Sequence, residues 1–91
     1  MKKSVRLFLT GNVQPVFFDR FVKENADQLN IRGFMRYLED KRIEIFVEGN
    51  IDSVNKMVPL CKRGPRHSLI RKFEEKEEKF HGFKDFQVFR F

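Results

Sequence analysis

An α+β sandwich is the fold this sequence predicts, with two helices laid on one face of an antiparallel sheet of four to five strands. Three observations predict it. Apolar and polar residues alternate in several short stretches, the period of half-buried strands. Two other stretches repeat apolar residues at three- and four-residue spacing, the period of amphipathic helices. The two kinds follow one another in the order β-α-β-β-α-β, which packs both helices on the same side of the sheet. That order is the ferredoxin-like arrangement.

Residues 4–10 form the first strand, with Val5, Leu7 and Leu9 on one face and Arg6, Phe8 and Thr10 on the other. A helix follows over residues 19–30. Phe18, Phe21, Val22, Ala26 and Leu29 make its apolar stripe, and Asn30 supplies a stop. Residues 32–38 read as a second strand, and the polar turn at residues 39–42 returns the chain as a hairpin through Ile43, Ile45 and Val47. Asn50 or Asp52 can cap a second helix, whose stripe is Ile51, Val54, Met57, Val58 and Cys61. Pro59 sits late in it and predicts a kink or early fraying, and Gly64-Pro65 ends it. A fourth strand runs over residues 68–75, a charged excursion over 74–79, and a last strand over 83–91.

The chain has 91 residues, enough for one domain over residues 1–91 with a modest core. Its 41% hydrophobic content is that of a globular protein. No apolar run is long enough to span a membrane, so no membrane association is expected. Met1-Lys2-Lys3 resembles the start of an export signal, but Arg6 and Gly11-Asn12 cut the apolar stretch short, so the expected compartment is the cytoplasm. A single cysteine rules out an internal disulfide. The net charge of +6 permits an anionic partner, yet acidic residues interrupt the basic ones, most visibly at residues 74–79.

The candidate site is the stretch Gly11, Asn12, Val13, Gln14, Pro15, Val16, Phe17, Phe18, followed by Asp19 and Arg20. A strand, a tight loop and a helix start together hold a small anion, because free N–H groups and the helix dipole converge there. Two residues oppose that use. Pro15 has no N–H to donate, and Asp19 brings a negative charge.

These residues resemble the acylphosphatase family. Gly11-Asn12-Val13-Gln14-Pro15-Val16-Phe17-Phe18-Asp19 is similar to its signature Gly-x-Val-Gln-Gly-Val-x-Phe-Arg. Ile31-Arg32-Gly33-Phe34-Met35-Arg36-Tyr37 is similar to its Leu-x-Gly-Trp-Val-Arg-Asn, and Gly64-Pro65 with Ser68 and Ile70 to its Gly-Pro-x-x-Ala-x-Val. The resemblance runs from about Leu7 to Phe91. It implies hydrolysis of carboxyl-phosphate anhydrides without metal or cofactor. Loop N–H groups and an arginine would bind the phosphate, and an asparagine would orient the water. Such chemistry rests on positioning and charge stabilisation.

Transferred residue by residue, the arginine falls on Asp19, the asparagine on Tyr37 and the loop's second glycine on Pro15. A carboxylate about 4 Å from a phosphate charge is repelled by roughly 1 kcal/mol in water and by more in a dry pocket. The leading expectation is therefore a silent or very weak relative. In a structural reading, Asp19 caps its own helix in the phosphate's place. A second reading keeps the activity, with Arg20 reaching back as substitute clamp and Asn12, Gln14 or Tyr37 placing the water. A small anion or an acyl phosphate is the ligand this loop would take.

The face of the sheet away from the helices is the other candidate. Alternation puts Arg6, Phe8, Phe46, Gln87, Phe89 and Phe91 on it. An aromatic face of this kind serves a homo-dimer or protein partner, is covered by the chain's own loops, or stacks nucleic-acid bases. Nucleic acid is the weakest of the three, because glutamates flank Phe46 and the glycine-aromatic run of RNA-recognition modules is missing. His67 and His81 lack further ligands at metal spacing, and Cys61 lies on an apolar stripe, where a thiol is inert.

Overall fold

The computed structural model describes residues 1–89. The elements are β1 (Lys2–Asn12), α1 (Pro15–Gln28), β2 (Arg32–Tyr37), β3 (Ile43–Asn50), α2 (Ile51–Arg63), β4 (Leu69–Glu78) and β5 (Phe86–Phe89). They build a five-stranded sheet in the order β4-β1-β3-β2-β5, consistent with the expected ferredoxin-like α+β fold. The β1/β3, β1/β4 and β2/β3 pairs are antiparallel, but β5 runs parallel to β2, so the sheet is mixed at that edge. The direction of β5 follows from its connection. Residues 79–85 leave β4 at one edge and cross to the opposite edge, beside β2. The crossing covers four strand spacings, about 19 Å, within the reach of seven extended residues, about 24 Å.

The core lies between the sheet and the helices. Val5, Leu7, Leu9, Met35, Ile43, Ile45, Val47 and Phe86 meet Phe18, Val22, Ala26, Val54, Met57, Val58 and Cys61. Val5, Leu7, Leu9, Ile43, Ile45 and Val47 are the alternating strand residues of the sequence reading, and Met35 of β2 joins them. Burial raises the Cys61 thiol to about 12, which leaves it protonated and unreactive.

Several boundaries differ from the sequence reading. α1 begins at Pro15, one turn before Asp19. Proline fits the first helical position, because that residue's N–H has no intrahelical acceptor. At the other end, Asn30 takes a left-handed φ of 55°, and Ile31 N–H donates to the Ala26 carbonyl at 2.7 Å, the stop expected there. Asn50 precedes α2 without a side-chain cap, and Ile51 N–H donates to the Met1 carbonyl instead. Early fraying is absent: α2 continues through exposed Pro59 to Arg63, so the carbonyl that proline deprives of a donor lies on a solvated face. The charged run at 74–78 lies inside β4, not in an excursion. An edge strand tolerates it because its side chains are solvated. The last strand begins at Phe86 rather than at residue 83 and is described to Phe89; residues 90 and 91 of the expected strand lie outside the described residues. No helix among the described residues is long and apolar enough to cross a membrane.

Candidate functional site

At its end β1 stays paired with β4, Gly11 opposite Ile70 and Asn12 opposite Leu69. A β-bulge lies between Thr10 and Gly11, and a Cβ on Gly11 would meet the Leu69 carbonyl oxygen at 2.0 Å. Only glycine permits that approach. Val13 and Gln14 then turn the chain into α1. Gln14, extended at φ −95° and ψ 109°, is the N-cap residue, and its carbonyl accepts from Phe18 N–H at 2.9 Å. An open cleft of about 460 Å³ lies beside this turn, lined by Gly11, Asn12, Val13, Pro15, Tyr37, Leu38, Lys41 and Ile43.

Asp19 is the fifth residue of α1 and only 7% exposed. It is too far into the helix to cap it, and the N-cap residue Gln14 makes no side-chain cap bond, which corrects the helix-capping reading of Asp19. The Tyr37 hydroxyl donates to Asp19 Oδ1 at 2.6 Å. The two positions where the resemblance puts the family's arginine and asparagine therefore touch one another. Tyr37 packs its ring against the core from the last residue of β2.

The other loop residues divide between roles. Asn12 Oδ1 accepts from Arg71 Nη1 at 3.3 Å, which ties it to β4. Phe18 is a fully buried core residue, while Val16 and Phe17 are more than half exposed. Arg20, exposed, lines a different groove of about 320 Å³ with Phe17, Phe21, Glu24, Pro65, Arg66 and His67. The structure thus keeps Arg20 apart from the lining of the loop cleft.

Lys41 is the cleft cation that sequence reasoning missed. It sits in the β2–β3 turn at a left-handed φ of 72°. Its N–H donates to the Leu38 carbonyl at 3.1 Å, and Asp40 closes the turn by accepting from Arg42 N–H at 3.1 Å. A short hairpin turn needs a left-handed residue, and glycine is the usual one, so a lysine there is the signal that was available.

The centre of the sheet face away from the helices is covered by the chain itself. Phe46 is fully buried, with His81 at 4.5 Å and Phe83 at 5.4 Å between ring centroids. Of the readings open for this ring, cover by the chain's own segment describes its surroundings, and the expected exposure of Phe46 as a sheet-face binding residue is corrected: His81 and Phe83 lie against it. Phe34, opposite Phe46 on β2, contacts Phe83 and Phe89 as well. Phe8 is half-buried under the Arg42 guanidinium, 4.6 Å from the ring centroid, and Phe89 remains 40% exposed. Arg6 sits 4.9 Å above the Phe46 ring and pairs with both Glu44 and Glu78, and Arg36 shares Glu44. The hydrogen bond from Arg6 holds the Glu78 carboxyl below its ordinary value.

Glu48 fixes the covering segment. Its buried carboxylate accepts from the N–H groups of His81 at 2.9 Å, Gly82 at 2.8 Å and Phe83 at 2.7 Å, and from the Ser4 hydroxyl at 2.9 Å. Gly82, at φ 82°, lets three consecutive N–H groups point inward. Burial opposes the charge on Glu48, but these bonds outweigh it and hold the carboxyl below its ordinary value.

The chain matches the family model for acylphosphatase over residues 5–88. It belongs to the acylphosphatase family. The acylphosphatase of Rubrobacter xylanophilus is 38% identical over 80 residues, covering 88% of this chain and 73% of that protein. The acylphosphatase of Syntrophus aciditrophicus is 33% identical over 89 residues, covering 97% and 93%. Among solved structures, acylphosphatase from Bacillus subtilis superposes with a TM-score of 0.88 at 27% identity, over 99% of this chain and all of that one (100%). The acylphosphatase fold thus accounts for the element order and for the strand-loop-helix that frames the cleft.

Proposed function

We propose that this acylphosphatase-family chain is catalytically silent or very weak, its former reaction centre converted into a structural contact. The observation that carries the reading is the 2.6 Å hydrogen bond from Tyr37 to the buried Asp19. Phosphoryl transfer depends on positive charge held against the phosphate oxygens and on a positioned water. At the two positions where the resemblance puts those groups, the chain has a carboxylate and a phenol that engage each other. Pro15 adds to this by lacking an N–H at the head of α1. Loss of a phosphate-clamping arginine costs about three to five orders of magnitude in comparable sites.

The retained role is binding or structural, and the cleft with Lys41 leaves a small anion as its natural ligand. A cytoplasmic location accords with a single, reduced and buried cysteine. Hydrolysis of acetyl phosphate by the purified chain tests the reading. A rate at the buffer background supports it. A rate well above background that is lost on Arg20→Ala overturns it in favour of a rearranged enzyme.

A further inference from the structure

The opposite pole of the molecule carries a further cavity. The cleft beside Gly11 lies at the end of β1, whereas this cavity opens at its start. Ten residue steps along β1 separate the two ends, a distance of about 33 Å, and the molecule is 34 Å in its longest dimension. The cavity has a volume of about 370 Å³. Its polar lining includes Lys2, Arg32, Asn30, Asn50, Ser53 and Glu48.

The strand register explains why these groups converge. Lys2 stands opposite Asn50, and Arg32 opposite Glu48, so the two cations flank the end of the central strand β3 from either side. Their backbones are two strand spacings apart and offset by two residues along β3, about 12 Å in all, a gap that a lysine and an arginine side chain together can bridge. Neither cation forms an ion pair among the described residues. The one carboxylate in the lining, Glu48, is already bound by four donors from Ser4 and residues 81–83. The cavity therefore offers two uncommitted positive charges, with the amides of Asn30 and Asn50 and the Ser53 hydroxyl as neutral donors.

We infer that this cavity is a binding site for a small phosphate-bearing anion, separate from the family cleft and independent of whether that cleft is active. Arg32 presents the planar fork that matches a phosphate's oxygens, and Lys2 supplies a point charge from the other side. The volume exceeds that of a bare phosphate and suits a small organic phosphate or pyrophosphate.

The test is a titration of the ¹⁵N-labelled full chain with inorganic pyrophosphate at constant ionic strength. The expected result is saturable shifts in the amides of Asn30, Arg32, Asn50 and Ser53. Lys2→Ala and Arg32→Ala each weaken binding about tenfold, as loss of one charge-assisted contact does. Arg32→Lys keeps the charge but loses the fork and weakens binding less than Arg32→Ala does, and Lys23→Ala on distant α1 leaves it unchanged. Both cations are solvent-exposed, and a thermal melt verifies that each variant is folded. Shifts that rise linearly without saturation overturn the assignment. So do saturable shifts confined to Gly11–Gln14, or an affinity that survives the Lys2→Ala/Arg32→Ala double variant.

Discussion

The Tyr37 hydroxyl donates a 2.6 Å hydrogen bond to Oδ1 of Asp19, joining the end of β2 to the second turn of α1. By resemblance these are the positions of the family's water-orienting asparagine and phosphate-binding arginine. A buried carboxylate is costly unless it is hydrogen-bonded, and Tyr37 supplies Asp19 with one donor. The two replacements are therefore read together. Asp19 gains a donor from β2, and the Tyr37 hydroxyl gains an acceptor on α1.

Tyr37→Phe keeps the ring in the core and removes only this donor. The expected loss is about 1–2 kcal/mol, the usual effect of depriving a buried acceptor of one bond. Urea denaturation of the two proteins measures it. Equal midpoints would mean that the bond contributes nothing to the fold.

Phe46→Ala removes a fully buried ring from beneath residues 79–85. The expected cost is about 3–5 kcal/mol. Because the ring is covered, RNA retention by the unaltered chain on a filter should be weak, and Phe8→Ala should not change it. Strong, salt-sensitive retention that Phe8→Ala abolishes would restore the nucleic-acid reading of this face.

Glu48→Gln tests the anchor of the covering segment. The folded-state carboxyl lies below its ordinary value of 4.5. Its contribution is thus fully present above that value, and is lost as pH falls through the depressed one. The variant should be less stable by about 1–3 kcal/mol at neutral pH. The gap from the unaltered chain should narrow progressively below pH 4.5 and close in stronger acid. Chemical denaturation across this range checks the sign, and a constant gap would mean that another group dominates.

Cys61 is fully buried, and its thiol is raised to about 12. Alkylation by iodoacetamide at pH 8 should be much slower than for the unfolded chain and should accelerate with denaturant. Rapid labelling of the native protein would contradict the packing of α2 on the sheet.

Element order was legible because alternation and helical spacing are local. The core followed directly, since Val5, Leu7, Leu9, Ile43, Ile45 and Val47 are the helix-facing members of their strands. What stayed hidden depends on contacts distant in sequence. Pro15 reads equally as a loop breaker and as a first helical residue, and the choice moved the helix start by a turn. The charged end of β4 resembles a loop unless its edge position is known. The direction of β5 is set by the crossing of residues 79–85. Glu48 alternates like a solvated residue, and its burial comes from the segment that folds over it. The sequence singles out Asp19 as a carboxylate in a loop suited to an anion. Its partner, 18 positions away, is set only by the packing of α1 on β2.

Acetyl phosphate hydrolysis by the unaltered chain, measured beside the Pro15→Gly/Asp19→Arg/Tyr37→Asn triple variant, tests the central claim most directly. The account predicts that the unaltered chain matches the buffer background and that the folded triple variant rises clearly above it. Rapid turnover by the unaltered chain, with no gain or a loss in the triple variant, would contradict it.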